Sequence, residues 1–136
     1  STFLFRKTMN SFPEELKYTS NHEWFKVQAD NATVGITDYA QNSLGDVTFV
    51  ELPEIGKTYK ADECFGVIES VKAASDLYMP IDGEILEVNQ DLEANPESLN
   101  QSPYESWIVR IKIKSLSQIN QLMRAEEYKK RFDLTS

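Results

Sequence analysis

The stretch Cys64–Ile81, CFGVIESVKAASDLYMPI, decides the fold. CFGVIESV and DLYMPI are short runs rich in β-branched, aromatic and other apolar residues, and between them lies KAAS, with Lys72 beside Ala73 and Ala74. Two such runs joined by a few small or polar residues read as a β-hairpin, with the lysine at its reversal.

Outward from this hairpin the chain reads mostly as short strands. HEWFKVQADNATVGIT (22–37) alternates apolar and polar residues on both sides of ADNA, which predicts a hairpin turning at Asp30 and Asn31. TDYAQNSLG (37–45) predicts a short helix near 37–44, with Thr37 as cap, Asp38 in the first turn and Gly45 as the stop. Further strands are expected at DVTFVEL, GEILEVN and SWIVRIKI, punctuated by Pro53, Gly56, Pro80, Asp82-Gly83 and Pro96. The segment 115–132, SLSQINQLMRAEEYKKRF, reads as a C-terminal helix broken at most once. Ser115 and Gln118 stand at capping-box spacing there, and Leu116, Ile119, Leu122 and Met123 form one apolar face.

GDVTFVE at Gly45 and GEILEVN at Gly83 share a glycine, an acid and alternating apolar positions, and each precedes a second strand, FGVIESV or WIVRIKI. This echo predicts two similar halves stacked face to face. The expected fold is mainly β with flanking helices (α+β): a flattened sandwich of two antiparallel sheets with quasi-twofold symmetry. The division expected is residues 1–15 as an N-terminal extension or tail and 16–136 as a single domain that includes the helical segment 115–132.

Composition narrows the function. With 14 Lys and Arg against 22 Asp and Glu, the net charge of −8 repels nucleic acid and anionic membranes. No apolar run approaches the roughly 20 residues that cross a bilayer. Cys64 is the one cysteine and His22 the one histidine, so neither a disulfide nor a multi-cysteine metal site is expected, and the two could form a nucleophilic dyad only if the fold brought them together. Cys64 is expected to pack as a small hydrophobe, and Trp24 and Trp107 to be core or cleft-rim aromatics. The start, STFLFRKTMNSF, carries Arg6 and Lys7 and no acid before Glu14, which suits either a frayed tail or the remnant of an organelle-targeting peptide.

Lys72 has three possible uses. A Schiff-base lysine needs an apolar enclosure that disfavours its charge, which a loop tip does not offer. A solvated turn lysine and a rigidly presented point of covalent attachment both fit the position.

GVIESVKAASDLYMPIDGEI resembles the lipoylation hairpin of the glycine cleavage H-protein family. The resemblance extends in order through LKYTSNHEW, VGITDYAQNSLGDVTFVELPEIG, NPESLNQSPYESW and the helical tail, although PYESW lacks the glycine expected before the tryptophan. It implies a lipoyl/biotinyl-type barrel-sandwich hybrid and a non-catalytic, monomeric carrier with lipoic acid in amide linkage on Lys72. The partners it implies are a pyridoxal-phosphate glycine decarboxylase, a tetrahydrofolate-dependent aminomethyltransferase, a flavin (FAD) dihydrolipoyl dehydrogenase and a lipoate-attaching enzyme.

Between visits the aminomethyl cargo would shelter in a cleft lined by Glu23 and Asp76, with Asn21 where some relatives carry serine. Glu69, Val71 and Ala73 would present the hairpin to the attaching enzyme. The expected compartment is the mitochondrial matrix, with bacterial cytoplasm as the alternative. A relay that passes lipoyl groups to oxoacid dehydrogenase acyltransferases is a second reading. A biotin carrier is a third, disfavoured because Val71 and Ala73 flank the lysine where methionines are usual.

Overall fold

A computed structural model describes residues 11–134. In chain order the elements are β1 (Lys17–Tyr18), β2 (Glu23–Gln28), β3 (Asn31–Ile36), α1 (Asp38–Leu44), β4 (Val47–Glu51), β5 (Thr58–Tyr59) and β6 (Cys64–Ser70). There follow β7 (Ala74–Tyr78), β8 (Gly83–Val88), α2 (Asp91–Ala94), α3 (Ser98–Gln101), β9 (Val109–Ile113), a 3-10 turn (Leu116–Gln121), β10 (Met123–Arg124) and α4 (Ala125–Arg131). The strands form an antiparallel sheet in the order β10-β1-β2-β3-β9-β8-β5 and a second in the order β4-β6-β7.

These sheets are the two layers of the expected sandwich. On β9, Val109, Ile111 and Ile113 are buried while Lys112 is exposed and Arg110 half-buried, the period-two pattern of a strand with one face inside. They meet Phe25, Val34 and Ile85 of the large sheet and Val50, Phe65, Ile68 and Leu77 of the small one in a single core. Each such side chain contributes about 1.5–3 kcal/mol on burial.

The internal echo is structural. β4 pairs with β6 through Val47↔Ser70, Phe49↔Glu69 and Val50↔Ile68, with a bulge between Val47 and Phe49. β8 pairs with β9 through Ile85↔Ile111, Glu87↔Arg110 and Val88↔Val109, with a bulge between Ile85 and Glu87. Each half thus builds the same kinked ladder in its own sheet.

Helix α1 follows the sequence reading: the Thr37 side chain accepts from the Ala40 N–H at 3.2 Å, and Gly45, at φ 77°, closes the helix through its N–H to Gln41 O. The first hairpin turns one residue earlier than expected, at Ala29–Asp30, with Ala29 at φ 58°. Strands β1 and β5 and helices α2 and α3 lie outside the elements that the sequence pattern predicts.

The helical segment expected over 115–132, broken at most once, is divided by β10 into a 3-10 turn and α4. Ser115 makes no side-chain cap. The Gln118 carbonyl oxygen accepts instead from the Asp82 N–H at 2.9 Å, so a contact across the fold takes the group a capping box would use. Leu122 is extended, and Met123 and Arg124 pair with Tyr18 and Lys17 before α4 begins. The expected apolar face is divided accordingly. Ile119 and Leu122 pack on the main core, Met123 joins a second cluster around Leu16, Tyr18, Trp24 and Tyr128, and Leu116 is exposed.

The putty for that second cluster comes partly from the expected N-terminal extension. Phe12 packs into the cluster, and the Tyr18 hydroxyl donates to Pro13 O at 2.6 Å. Residues 11–15 are therefore docked, while the targeting-remnant reading falls mostly on residues 1–10, outside those described. None of the described helices is long and apolar enough to cross a membrane.

Gly66 sets the spacing between β6 and β4, since a Cβ there would lie 2.5 Å from the backbone oxygen of Glu51. Gly66→Ala is expected to destabilise the protein by about 1–3 kcal/mol in denaturant titrations and to speed amide exchange in β4, because one backbone must move off the other. Unaltered stability and exchange would contradict this packing.

Candidate functional site

The reversal between β6 and β7 is closed by one side chain. Ser70 Oγ accepts from the backbone N–H groups of Lys72 and Ala73, each at 3.2 Å, and the Ser70 N–H donates to Ala73 O at 2.8 Å. A serine hydroxyl that satisfies the next turn in this way fixes its shape without glycine or proline. Val71, Lys72 and Ala73 are all exposed. The Lys72 ammonium makes no ion pair with the described residues.

The tip is anchored from beneath. The Val71 N–H donates to Asp46 O at 3.0 Å, which ties the hairpin to the α1–β4 junction. Asn100, on α3, holds that junction. Its side-chain amide donates to Gly45 O at 2.9 Å and its carbonyl oxygen accepts from the Val47 N–H at 2.9 Å. The Lys72 stem lies over Gly45, where a Cβ would come within 3.6 Å of Cγ.

Beside the tip a cleft of about 410 Å³ runs between α1 and the β6–β7 hairpin. Ala40, Leu44, Ile36, Ile68 and Leu77 supply apolar walls, and Asn21, Glu23, Ala73 and Asp76 also line it. Sequence reasoning thus named residues that the fold gathers at one place, from the start of β2 and from the tip and return strand of the hairpin. Glu69 and Val71 lie outside the cleft, exposed on β6 and at the tip.

The two acids are unlike. Asp76 is exposed, with the Tyr78 hydroxyl 3.4 Å from its Oδ2. Glu23 is only 1 % exposed. Its Oε2 accepts from the Tyr78 backbone N–H at 2.8 Å and its Oε1 from the Thr19 hydroxyl at 3.2 Å. Burial pushes its carboxyl up to about 8 against the pull of those two donors, and the negative charge of Asp62 adds to the rise. A carboxyl so placed is short of positive charge, and an ammonium entering the cleft would supply it.

Other sequence expectations resolve differently. His22 also lines the cleft, but its Nδ1 lies 2.8 Å from the Tyr128 hydroxyl, whereas the Cys64 thiol donates to Gly66 O at 3.3 Å. Each side chain of the supposed dyad is thus engaged elsewhere. Cys64 is exposed rather than packed inside, because it sits on the outward side of β6's first position. Trp24 is buried in the second cluster with its indole N–H on Pro103 O, and Trp107 packs against that cluster, so neither forms the cleft rim. Among the described residues no three His, Cys, Asp or Glu side chains are grouped to hold a metal.

Sequence reasoning missed Ser70, Thr19 and Asn100. Only Ser70 carried a local signal, a hydroxyl residue two positions before the lysine at a turn.

The Glu23 environment makes stability depend on pH. An unfolded chain ionises this carboxyl near its ordinary 4.5, whereas the folded chain holds its proton until about 8. Stability is therefore complete below the lower value and falls as pH rises across that window. Relative to Glu23→Gln, the native protein is expected to lose on the order of 2–4 kcal/mol between pH 5 and pH 8 in denaturant titrations. Taking the difference cancels the opposite contribution of His22, whose imidazole burial pushes down. Parallel pH curves for the two proteins would contradict the assignment.

Comparison with known proteins gives this geometry a family. The family model described as glycine cleavage H-protein matches residues 16–134. The glycine cleavage system H protein of Halalkalibacterium halodurans is 52 % identical over 122 residues, covering 89 % of this chain and 95 % of that protein. That of Halothermothrix orenii is 55 % identical over 117 residues, covering 85 % and 91 %. Bacillus subtilis has one 51 % identical over 119 residues, covering 87 % and 94 %. The crystal structure of a glycine cleavage system H protein from Mycobacterium marinum superposes with a TM-score of 0.82 at 35 % identity, over 89 % of this chain and 98 % of that one. With the sandwich, the presented lysine and the matched length in agreement, this chain belongs to the glycine cleavage H-protein family.

Proposed function

We propose that this chain is the lipoyl carrier of a glycine cleavage system, with lipoic acid in amide linkage on Lys72 and residues 16–136 as its single carrier domain. The observation that carries the reading is the exposed lysine at a braced tip, beside a cleft with apolar walls and a desolvated carboxyl at its floor. An apolar-walled cleft suits a hydrocarbon arm, and a buried acid suits a cationic cargo at its end. Bound on Lys72, lipoic acid would supply redox-active sulfurs: a disulfide that opens to an aminomethyl thioether and a thiol, and a dithiol that is oxidised back to the disulfide once the one-carbon unit has left.

The chain's own residues bind, shelter and release. Tethering raises the local concentration of the reactive sulfur at each partner in turn: glycine decarboxylase, aminomethyltransferase and dihydrolipoyl dehydrogenase. The bond-making belongs to the cofactors of those enzymes, and the carrier is not itself an enzyme. Glu23 and Asp76 serve as counter-charges for the cargo. A carboxylate beside an ammonium favours its charged form, and an amine kept protonated has no lone pair with which to expel sulfur. Water excluded by the walls cannot attack the same carbon. Asn21 completes the mouth, while Glu69, Val71 and Ala73 form the exposed face read by a lipoate-attaching enzyme. The bacterial sources of the relatives favour bacterial cytoplasm over the mitochondrial matrix.

The test is intact mass after coexpression with a lipoate-attaching enzyme, followed by glycine-dependent carbon dioxide exchange with glycine decarboxylase. The native chain is expected to gain one lipoyl amide and support exchange, and Lys72→Arg to do neither. A gain equal to biotin, or exchange retained by Lys72→Arg, would overturn the reading. A lipoyl gain without exchange would select the relay.

A further inference from the structure

We propose that Thr19 is a positioning residue of the cargo site, its hydroxyl holding the Glu23 carboxyl against the Tyr78 N–H so that the carboxyl's remaining acceptor capacity faces the cleft. The inference rests on the reading of Glu23 as a cargo acceptor and adds the group that aims it.

Hydrogen-bond accounting fixes the orientation of the Thr19 hydroxyl. A threonine hydroxyl has one proton to give and two acceptor positions. Both acceptor positions of Thr19 Oγ1 are taken, by the backbone N–H groups of Glu23 and Asn21, each at 3.2 Å. Its proton is then committed to Glu23 Oε1, also at 3.2 Å. A hydroxyl with both acceptor sites filled cannot turn round and accept from a protonated Glu23, so Thr19 always presents a donor to the acid.

The backbone enforces the same geometry. The Thr19 N–H donates to Glu23 O at 3.0 Å and the His22 N–H to Thr19 O at 3.1 Å, with His22 at φ 66°. The whole turn 19–23 is therefore wound around this side chain. A β-branched residue loses little further freedom when fixed in that way. Thr19 is 8 % exposed and lines a separate polar recess of about 200 Å³ that includes Asp62 and Arg131. It stands between that recess and the acid on the cleft side.

Titratable groups around Glu23 are His22 beside it, Tyr39 on α1, Asp62 in the turn before β6, and Asp76 and Tyr78 on β7. None of them replaces a donor held on Oε1. A donor to the ionised carboxylate favours ionisation, so removing it raises the pH at which the acid becomes a counter-charge.

The test loads the full-length lipoylated protein with the aminomethyl group, using glycine and glycine decarboxylase. Formaldehyde release is then followed across pH without tetrahydrofolate. The reaction consumes one water and yields free thiol, formaldehyde and ammonium. Thr19→Val, which keeps the shape and removes the hydroxyl, is expected to release formaldehyde about tenfold faster at neutral pH and to move the midpoint of protection up by about one pH unit. Thr19→Ser should restore the native profile, and Thr19→Val in a Glu23→Gln background should add nothing, since the hydroxyl acts through the acid. Should Thr19→Val not fold, Thr19→Cys, whose thiol is a weaker donor, is expected to shift the profile in the same direction. A native profile in the valine or cysteine variant, alongside fast release in Glu23→Gln, would overturn the role of Thr19 alone. No acceleration in Glu23→Gln would overturn the reading of Glu23 itself.

Discussion

The hydrogen bond from the Tyr78 backbone N–H to Glu23 Oε2, 2.8 Å long, is the point on which the cleft depends. It joins β2 of the seven-stranded sheet to β7 of the three-stranded one. It also accounts for how a carboxyl tolerates almost complete burial. Desolvation alone would keep such a group neutral, whereas donors fixed on each oxygen leave it close to ionising. A cation entering the cleft then tips the balance. The same bond ties the acid to β7, the strand that returns from the lysine.

A mobile tether needs an immobile base. Here the base is a reversal whose backbone donors are satisfied by Ser70 and Asp46, with Asn100 fixing the junction that carries Asp46. The Lys72 ammonium makes no ion pair with the described residues, while the backbone beneath it is held. Exposure and rigidity are separate properties, and this hairpin combines them because its hydrogen bonds run through the backbone and one small hydroxyl. A modifying enzyme then meets a fixed shape, and the arm's reach is set by its own length rather than by loop motion.

What was legible in the sequence followed from chemistry contained within a few residues. The hairpin around Lys72, the Thr37 cap and the Gly45 stop are local, and the structure keeps all three. Duplication was legible too, because two copies of one strand pattern fold into two copies of one bulged ladder. The burial of Glu23 was not legible, since its covering partner lies 55 residues away. Nor was the place of the break in the C-terminal segment, where Gln118 is drawn to Asp82 and Met123 to Tyr18. In both cases a distant backbone group won over the local pattern. Glu23 and Asp76 carry the same charge in sequence, and only the fold makes one dry and the other wet.

The measurement that tests this account most directly is a carbon-detected NMR titration of the Glu23 carboxyl, in the free protein and in the protein carrying the cationic cargo. The account predicts a midpoint near 8 in the free protein, as burial dictates, and a clear fall once an ammonium occupies the cleft. A midpoint in the ordinary carboxylate range in the free protein, or one that cargo leaves unmoved, would contradict it.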